Sequence, residues 1–139
     1  MPNDPHIHDL EQRLLDVLNT LSVRFGDFTL ASGRKSDFYV DARQTTLNSE
    51  GSNVVAQLML DRIQEGTVAI GGPTMGADPI VSATTASAWA SGRTLHGFLV
   101  RKEAKGHGAG SQIEGLASIP AGSRVCVVED TTTTGGSLL

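Results

Sequence analysis

The densest run of chemistry-bearing residues is Val127-Val128-Glu129-Asp130-Thr131-Thr132-Thr133-Thr134-Gly135-Gly136-Ser137. An apolar strand ends there in two adjacent carboxylates, and hydroxyl and glycine residues follow where a helix should begin. Backbone N–H groups and Thr hydroxyls in such a turn can surround a phosphate, helped by the positive end of a helix dipole. The carboxylates suit sugar hydroxyls or a hydrated Mg²⁺. By themselves, two acids could simply end a strand; joined to the Thr-Gly turn they point to anion and sugar chemistry. A second cluster, Arg101, Lys102, Lys105 and His107, lies in a glycine-rich stretch that could fold its cations over a diphosphate.

These residues need a frame, and the apolar pattern supplies one. Leu10, Leu14, Val17, Leu18 and Leu21 form one stripe at helical spacing, with Asp9 as a candidate N-cap. Phe28-Thr29-Leu30 and Phe38-Tyr39-Val40 predict an antiparallel strand pair. Val54, Val55, Leu58, Met59 and Ile63 predict a second helix over Ser52–Glu65, closed by Gly66. Thereafter short apolar runs lead into polar or glycine-rich loops. Thr67–Ile70, Gly97–Val100 and Arg124–Val128 read as strands buried on both faces. A helix from Pro79 to Ser91, capped by Asp78, lies between the first two, so βαβ units and a parallel sheet are expected. Lys102–Gly115 reads as a long mobile loop, Cys126 as a small core residue, and Trp89 as packing.

Composition sets outer bounds. Eleven basic against fifteen acidic residues give a net charge of −4, so no global basic field draws the chain to nucleic acid or anionic membrane. Any anion site must be built locally. With one cysteine, an internal disulfide and a Cys-rich metal site are excluded, which fits a cytoplasmic protein. No apolar run approaches a membrane span. His6, His8 and His96 lack accompanying ligands, so no protein-built metal site is expected. The length predicts a single domain over 1–139, with a small N-terminal part of about 1–50 and a core of about 51–139.

The Glu129–Ser137 element resembles the phosphoribosyl pyrophosphate (PRPP) motif of type I phosphoribosyltransferases. Phe28–Ser36, Arg101–Gly108 and Gly72–Pro79 narrow the resemblance to orotate phosphoribosyltransferases, from about Leu10 to the last residue. It implies an α/β fold, a mainly parallel sheet flanked by helices with a small N-terminal hood, and transfer of phosphoribosyl from PRPP to orotate in pyrimidine synthesis. Arg101, Lys102, Lys105, His107, Glu129, Asp130 and Thr131–Ser137 would bind PRPP, with Lys105, His107 and Asp130 catalytic. Tyr39, Val40 and Thr133 would meet orotate, and Mg²⁺ would be the cofactor. A homodimer is implied, in which one subunit's basic loop serves the other's site. Some relatives have Lys in place of Ala31 and of Gly76, so their help in binding PRPP is absent here or comes from elsewhere. The family continues beyond this turn, so the expectation is a chain truncated at its C-terminus, its own activity left open. A purine phosphoribosyltransferase and a non-catalytic PRPP-binding regulator are the alternatives.

Overall fold

The computed structural model describes residues 4–30, 32–103, 111–132, 135, 136 and 138. Its first helix, α1 (Pro5–Leu21), begins before the expected Asp9 cap. Asp4 is the N-cap instead: its carboxylate accepts from His6 N–H at 2.9 Å, and Pro5 opens the helix where a missing N–H costs nothing. Leu10 is buried against Val54 and Leu58, with Ile7 and Leu14 packed around them. The stripe that meets the protein therefore includes Ile7, while Leu21 at the far end is exposed.

β1 (Val23–Thr29) and β2 (Lys35–Val40) form the expected antiparallel pair, with Val23 beside Val40 and Phe25 beside Phe38. The register shifts between Phe25 and Phe28, and the rings of Phe28 and Tyr39 meet at a centroid distance of 5.6 Å. A short helix, α2 (Arg43–Thr46), follows, where no helix is expected from the sequence. Thr45, fully buried, shares a 2.6 Å hydroxyl hydrogen bond with Ser22, which fastens α2 to the end of α1.

α3 (Ser49–Arg62) starts three residues before the predicted Ser52. Asn48 caps it, its side-chain oxygen accepting from the N–H groups of Glu50 and Gly51. Its Val54 and Leu58 meet α1, while Ile63, just beyond it, belongs to a second core with Ile70, Ala77, Val81, Ala88 and Leu95. Thus α3 joins the N-terminal part to the sheet.

β3 (Ala69–Pro73), β4 (His96–Val100), β5 (Ile113–Glu114) and β6 (Val125–Val127) form one sheet in the order β5-β4-β3-β6. β3 pairs in parallel with β4 and with β6, and α4 (Ala77–Ala90) crosses from β3 to β4. The parallel α/β arrangement is as expected, but three details differ. Gly71, Gly72 and Pro73 belong to β3 rather than to a loop: a Cβ on Gly72 would overlap the Val128 carbonyl, so only glycine lets the backbones come this close. β5 falls within the stretch expected to be a mobile loop and pairs antiparallel with β4. β6 is not buried on both faces, since Cys126 and Val128 pack on the core while Val125 and Val127 are exposed.

Two further expectations change. α4 begins at Ala77, with Gly76 at the N-cap, so Asp78 sits inside the first turn. Trp89 does not pack into the core: it is 79% exposed near the end of α4. The peptide bond Thr74–Met75 is cis. Among the described residues, no helix is long and apolar enough to cross a membrane.

Candidate active site

Parallel pairing sends three chain segments out of the sheet at one edge. Pro73 lies beside Val100 and Gly71 beside Val127, so β3, β4 and β6 all end on the same side. Thr74, Met75 and Gly76 follow β3, Arg101 and Lys102 follow β4, and Val128, Glu129 and Asp130 follow β6. Backbone bonds tie these exits together: Thr74 N–H donates to the Val100 carbonyl at 2.9 Å, and Val128 N–H to the Gly71 carbonyl at 2.8 Å. From β3 the chain passes to β4 on one side and later reaches β6 on the other. Open parallel sheets bind ligands at the carboxyl ends of strands where the connections diverge in this way.

A cleft of about 700 Å³ opens at this edge, lined by Thr74, Met75, Leu99, Arg101, Lys102, Glu103 and Glu114. β5 positions Glu114 beside Leu99, and an Arg101 guanidinium nitrogen lies 3.4 Å from its carboxylate. Both side chains are nearly half exposed, so water screens the pair and its net strength is small, about 0–1 kcal/mol. An anion of higher charge can therefore compete for the guanidinium.

The acidic side is held by its own turn. Asp130 Oδ1 accepts from Thr131 N–H at 2.9 Å, and Glu129 Oε2 accepts from the Thr132 hydroxyl at 3.0 Å. A carboxylate oxygen has two lone pairs, so the Asp130 carboxylate keeps acceptor capacity for hydroxyls. Between the acidic and basic sides lies the β3–α4 turn, where the Thr74 hydroxyl donates to Asp78 Oδ2 at 2.8 Å. Gly76 of that turn lies directly against the Asp130 carboxylate.

Of the residues singled out from the sequence, Arg101, Lys102, Glu129, Asp130, Thr131 and Thr132 therefore follow strands that end at one edge. Gly135 has φ +77°, and its carbonyl accepts from Leu138 N–H at 3.0 Å; Gly136 follows it in the turn. Lys105, His107, Thr133, Thr134 and Ser137 lie outside the described residues, as does Ala31. Tyr39 and Val40 sit on β2, opposite Arg24 and Val23, and neither is among the described residues lining the cleft. Residue type does not mark Leu99 or Glu114 as site residues, and Glu103 stands in the Arg101–Gly108 motif without a role of its own. Thr74 and Asp78 stand in the Gly72–Pro79 motif, where a hydroxyl and a carboxylate four residues apart are a usable signal.

Among the described residues, no group of three His, Cys, Asp or Glu side chains could hold a metal ion. Cys126 plays no part at this edge: its thiol packs on the core, and burial pushes its pKa up.

Comparison with known proteins agrees with this architecture. No family model matches the chain. It is 44% identical over 136 residues to the orotate phosphoribosyltransferase of Thermosynechococcus vestitus, covering 98% of this chain and 71% of that protein. To the enzyme of that name from a Bradyrhizobium strain it is 45% identical over 130 residues, covering 91% of this chain and 70% of the relative. Among solved structures, Mycobacterium tuberculosis orotate phosphoribosyltransferase with Fe(III) dicitrate aligns with a TM-score of 0.73 at 42% identity, over 93% of this chain and 71% of that one. The same enzyme in complex with PRPP aligns with a TM-score of 0.67 at 37% identity, over 93% and 68%. The type I phosphoribosyltransferase architecture expected from the motifs is the one these structures share, and with relatives this similar over nearly its whole length, the chain belongs to the orotate phosphoribosyltransferase family.

Proposed function

We propose that the chain transfers the phosphoribosyl group of PRPP to orotate, forming orotidine 5′-monophosphate and pyrophosphate. The observation that carries this reading is the shared strand edge: Arg101 and Lys102 line the cleft after β4, and Glu129 and Asp130 follow β6 across the central strand β3. That separation suits a substrate with a diphosphate at one end of a sugar and a phosphate at the other. The cations take the diphosphate, the two carboxylates take the ribose hydroxyls, and the Thr131–Ser137 turn takes the 5′-phosphate.

If the anomeric carbon develops oxocarbenium character, little nucleophilic push is required. Catalysis then lies in placing orotate N1 beside that carbon and in stabilising the departing pyrophosphate. Lys105 is assigned the main cationic contact, with His107, Arg101 and Lys102 assisting. Asp130 and Glu129 hold the sugar and offset the positive charge that develops on it. Tyr39, Val40 and Thr133 are assigned to the orotate ring.

Two adjacent carboxylates, with no third His, Cys, Asp or Glu grouped with them among the described residues, fit Mg²⁺ that arrives on the diphosphate better than a cation caged by protein. Glu129 and Asp130 would hold it, and the ion would offset negative charge on the diphosphate. A homodimer, in which one subunit's basic loop serves the other's site, is part of the proposal, and it rests on the resemblance to the family. Cytoplasmic residence rests on the single cysteine and the absence of any apolar span in the sequence.

Selectivity between bases tests the reading. The protein is incubated with PRPP, Mg²⁺ and either orotate or the purine bases, and nucleotide products are separated by chromatography. Orotidine 5′-monophosphate should form from orotate, with no purine nucleotide from the purines. Purine nucleotide as the main product would overturn the assignment.

A further inference from the structure

Among the described residues that line the cleft, the cations Arg101 and Lys102 stand with the carboxylates Glu103 and Glu114, so the lining is balanced in charge. Acids are unexpected in a pocket assigned to a diphosphate, and one of the two is built into the sheet. Glu114 lies on β5 beside Leu99, with its carboxylate 3.4 Å from the Arg101 guanidinium. The backbone fixes it there from both sides. Arg101 N–H donates to the Gln112 carbonyl at 2.7 Å, and Gly115, at φ +92°, lies so close to β4 that a Cβ would overlap the Gly97 carbonyl oxygen. Glu103, by contrast, is exposed and follows the end of β4.

The described contact is a poor device for orienting Arg101. It runs from one guanidinium nitrogen to one carboxylate oxygen at 3.4 Å, whereas a carboxylate that fixes an arginine pairs with two nitrogens at shorter range. What Glu114 contributes is charge: it offsets Arg101 before any ligand arrives, and its repulsion of an incoming anion grows with the charge of that anion. A divalent cation on a diphosphate cancels part of its negative charge, so the complex meets less repulsion than the bare anion. We infer that Glu114 is a specificity-determining residue: as the resting counter-ion of Arg101, it makes the cleft select a diphosphate that carries a divalent cation over the bare diphosphate. The inference rests on the placement of the PRPP diphosphate at Arg101 and Lys102 proposed above. It deepens that reading by assigning the choice between two charge states of the ligand to one carboxylate.

Calorimetric titration of PRPP into the full chain, with Mg²⁺ and with excess chelator, tests it in wild type and three variants. Glu114→Gln keeps the shape of the side chain and an acceptor for Arg101 but removes the charge; Glu114→Asp keeps the charge. Glu11→Gln, which alters the distant pair with Arg62, controls for net charge. Glu114→Gln should tighten binding of bare PRPP about threefold and leave the Mg²⁺ complex within about 1.5-fold of wild type, so the preference for the complex shrinks. Glu114→Asp and Glu11→Gln should both keep the wild-type preference. An unchanged preference in Glu114→Gln would overturn the inference, and so would equal weakening of both forms, which would make Glu114 an orienting residue. The same shift in Glu11→Gln would assign the effect to net charge and overturn it as well. If bare PRPP gives no heat with wild type, Glu114→Gln should bring its binding into range, and silence in both would contradict the inference. Wild type that binds PRPP under neither condition would refute the proposed function and this inference together, whereas binding with a preference untouched by Glu114→Gln would refute the inference alone.

Discussion

The hydroxyl of Thr74 donates to Asp78 Oδ2 at 2.8 Å, closing the turn between β3 and α4 beside the cleft. The other oxygen of Asp78, Oδ1, is buried without a hydrogen-bond partner among the described residues. Removing the hydroxyl therefore takes a hydrogen-bond partner from a carboxylate that is already under-satisfied. Thr74→Val, close in shape, should destabilise the fold by about 1–3 kcal/mol, whereas Thr74→Ser should stay near wild type. Urea unfolding measures both. Wild-type stability in Thr74→Val would mean that the bond does not hold the turn.

Two apolar side chains contrast in burial. Leu58 is buried where α3 meets α1, while Trp89 is the largest side chain on α4 yet mostly exposed. Leu58→Ala should cost about 2–5 kcal/mol through lost transfer energy and a cavity. Trp89→Ala should change stability by no more than about 0.5 kcal/mol. Thermal or urea unfolding of the isolated variants reads the difference, and a large loss in Trp89→Ala would contradict the exposure.

Asp41 gives the acid limb of stability a residue to examine. The Gln44 side-chain amide, donating at 3.1 Å, holds its carboxyl below the usual carboxylate range; loss of solvent opposes this, and Arg43 adds to the lowering through its charge and hydrogen bonds. A carboxyl lowered in the folded state favours folding above its unfolded pKa of about 3.9, and that contribution is lost as pH falls through the folded value. The stability gap between wild type and Asp41→Asn should thus be largest near neutral pH and close below about pH 4. Urea unfolding across that range checks it; a gap that widens on acidification has the wrong sign.

Mg²⁺ dependence follows from the charge at the strand edge. Arg101 and Lys102 are exposed, and Glu103 and Glu114 line the same cleft, so these described residues alone offset little of a diphosphate's charge. PRPP should bind at least about tenfold more tightly with Mg²⁺ than with excess chelator. Equal affinity in calorimetric titrations under the two conditions would refute a role for the ion in binding.

The sequence was informative where residue type and periodicity coincide. Val127–Asp130 reads as a strand ending in acids because apolar character stops abruptly at Glu129, and the sheet places it so. Gly71 and Gly72 misled because glycine usually marks a loop, whereas here its missing side chain lets β3 pass close to its neighbours. β5 was hidden for a related reason: Ile113 and Glu114 follow a glycine-rich stretch, and only pairing with β4 makes them a strand. Asp9 was a plausible cap by spacing, yet Asp4-Pro5 had the stronger signature, the same one read at Asp78-Pro79. At that second site the helix starts two residues earlier, because Asp78 is engaged by Thr74 instead of capping. The lesson for the site is that motifs locate the loops, while register decides which of them meet.

The central claim is that PRPP binds at the carboxyl-terminal edge of β3, β4 and β6. Calorimetric titration of PRPP, with Mg²⁺, into wild type, Arg101→Ala and Arg93→Ala tests it most directly. The two arginines flank β4 at opposite ends: Arg101 lines the cleft, whereas Arg93 donates to the Leu60 carbonyl at 2.8 Å before the strand begins. Losing a charge-assisted contact should cost about 1.5–3 kcal/mol, so Arg101→Ala should weaken PRPP binding about tenfold or more while Arg93→Ala leaves it unchanged. Unchanged affinity in Arg101→Ala, or a loss confined to Arg93→Ala, would contradict the placement of the site.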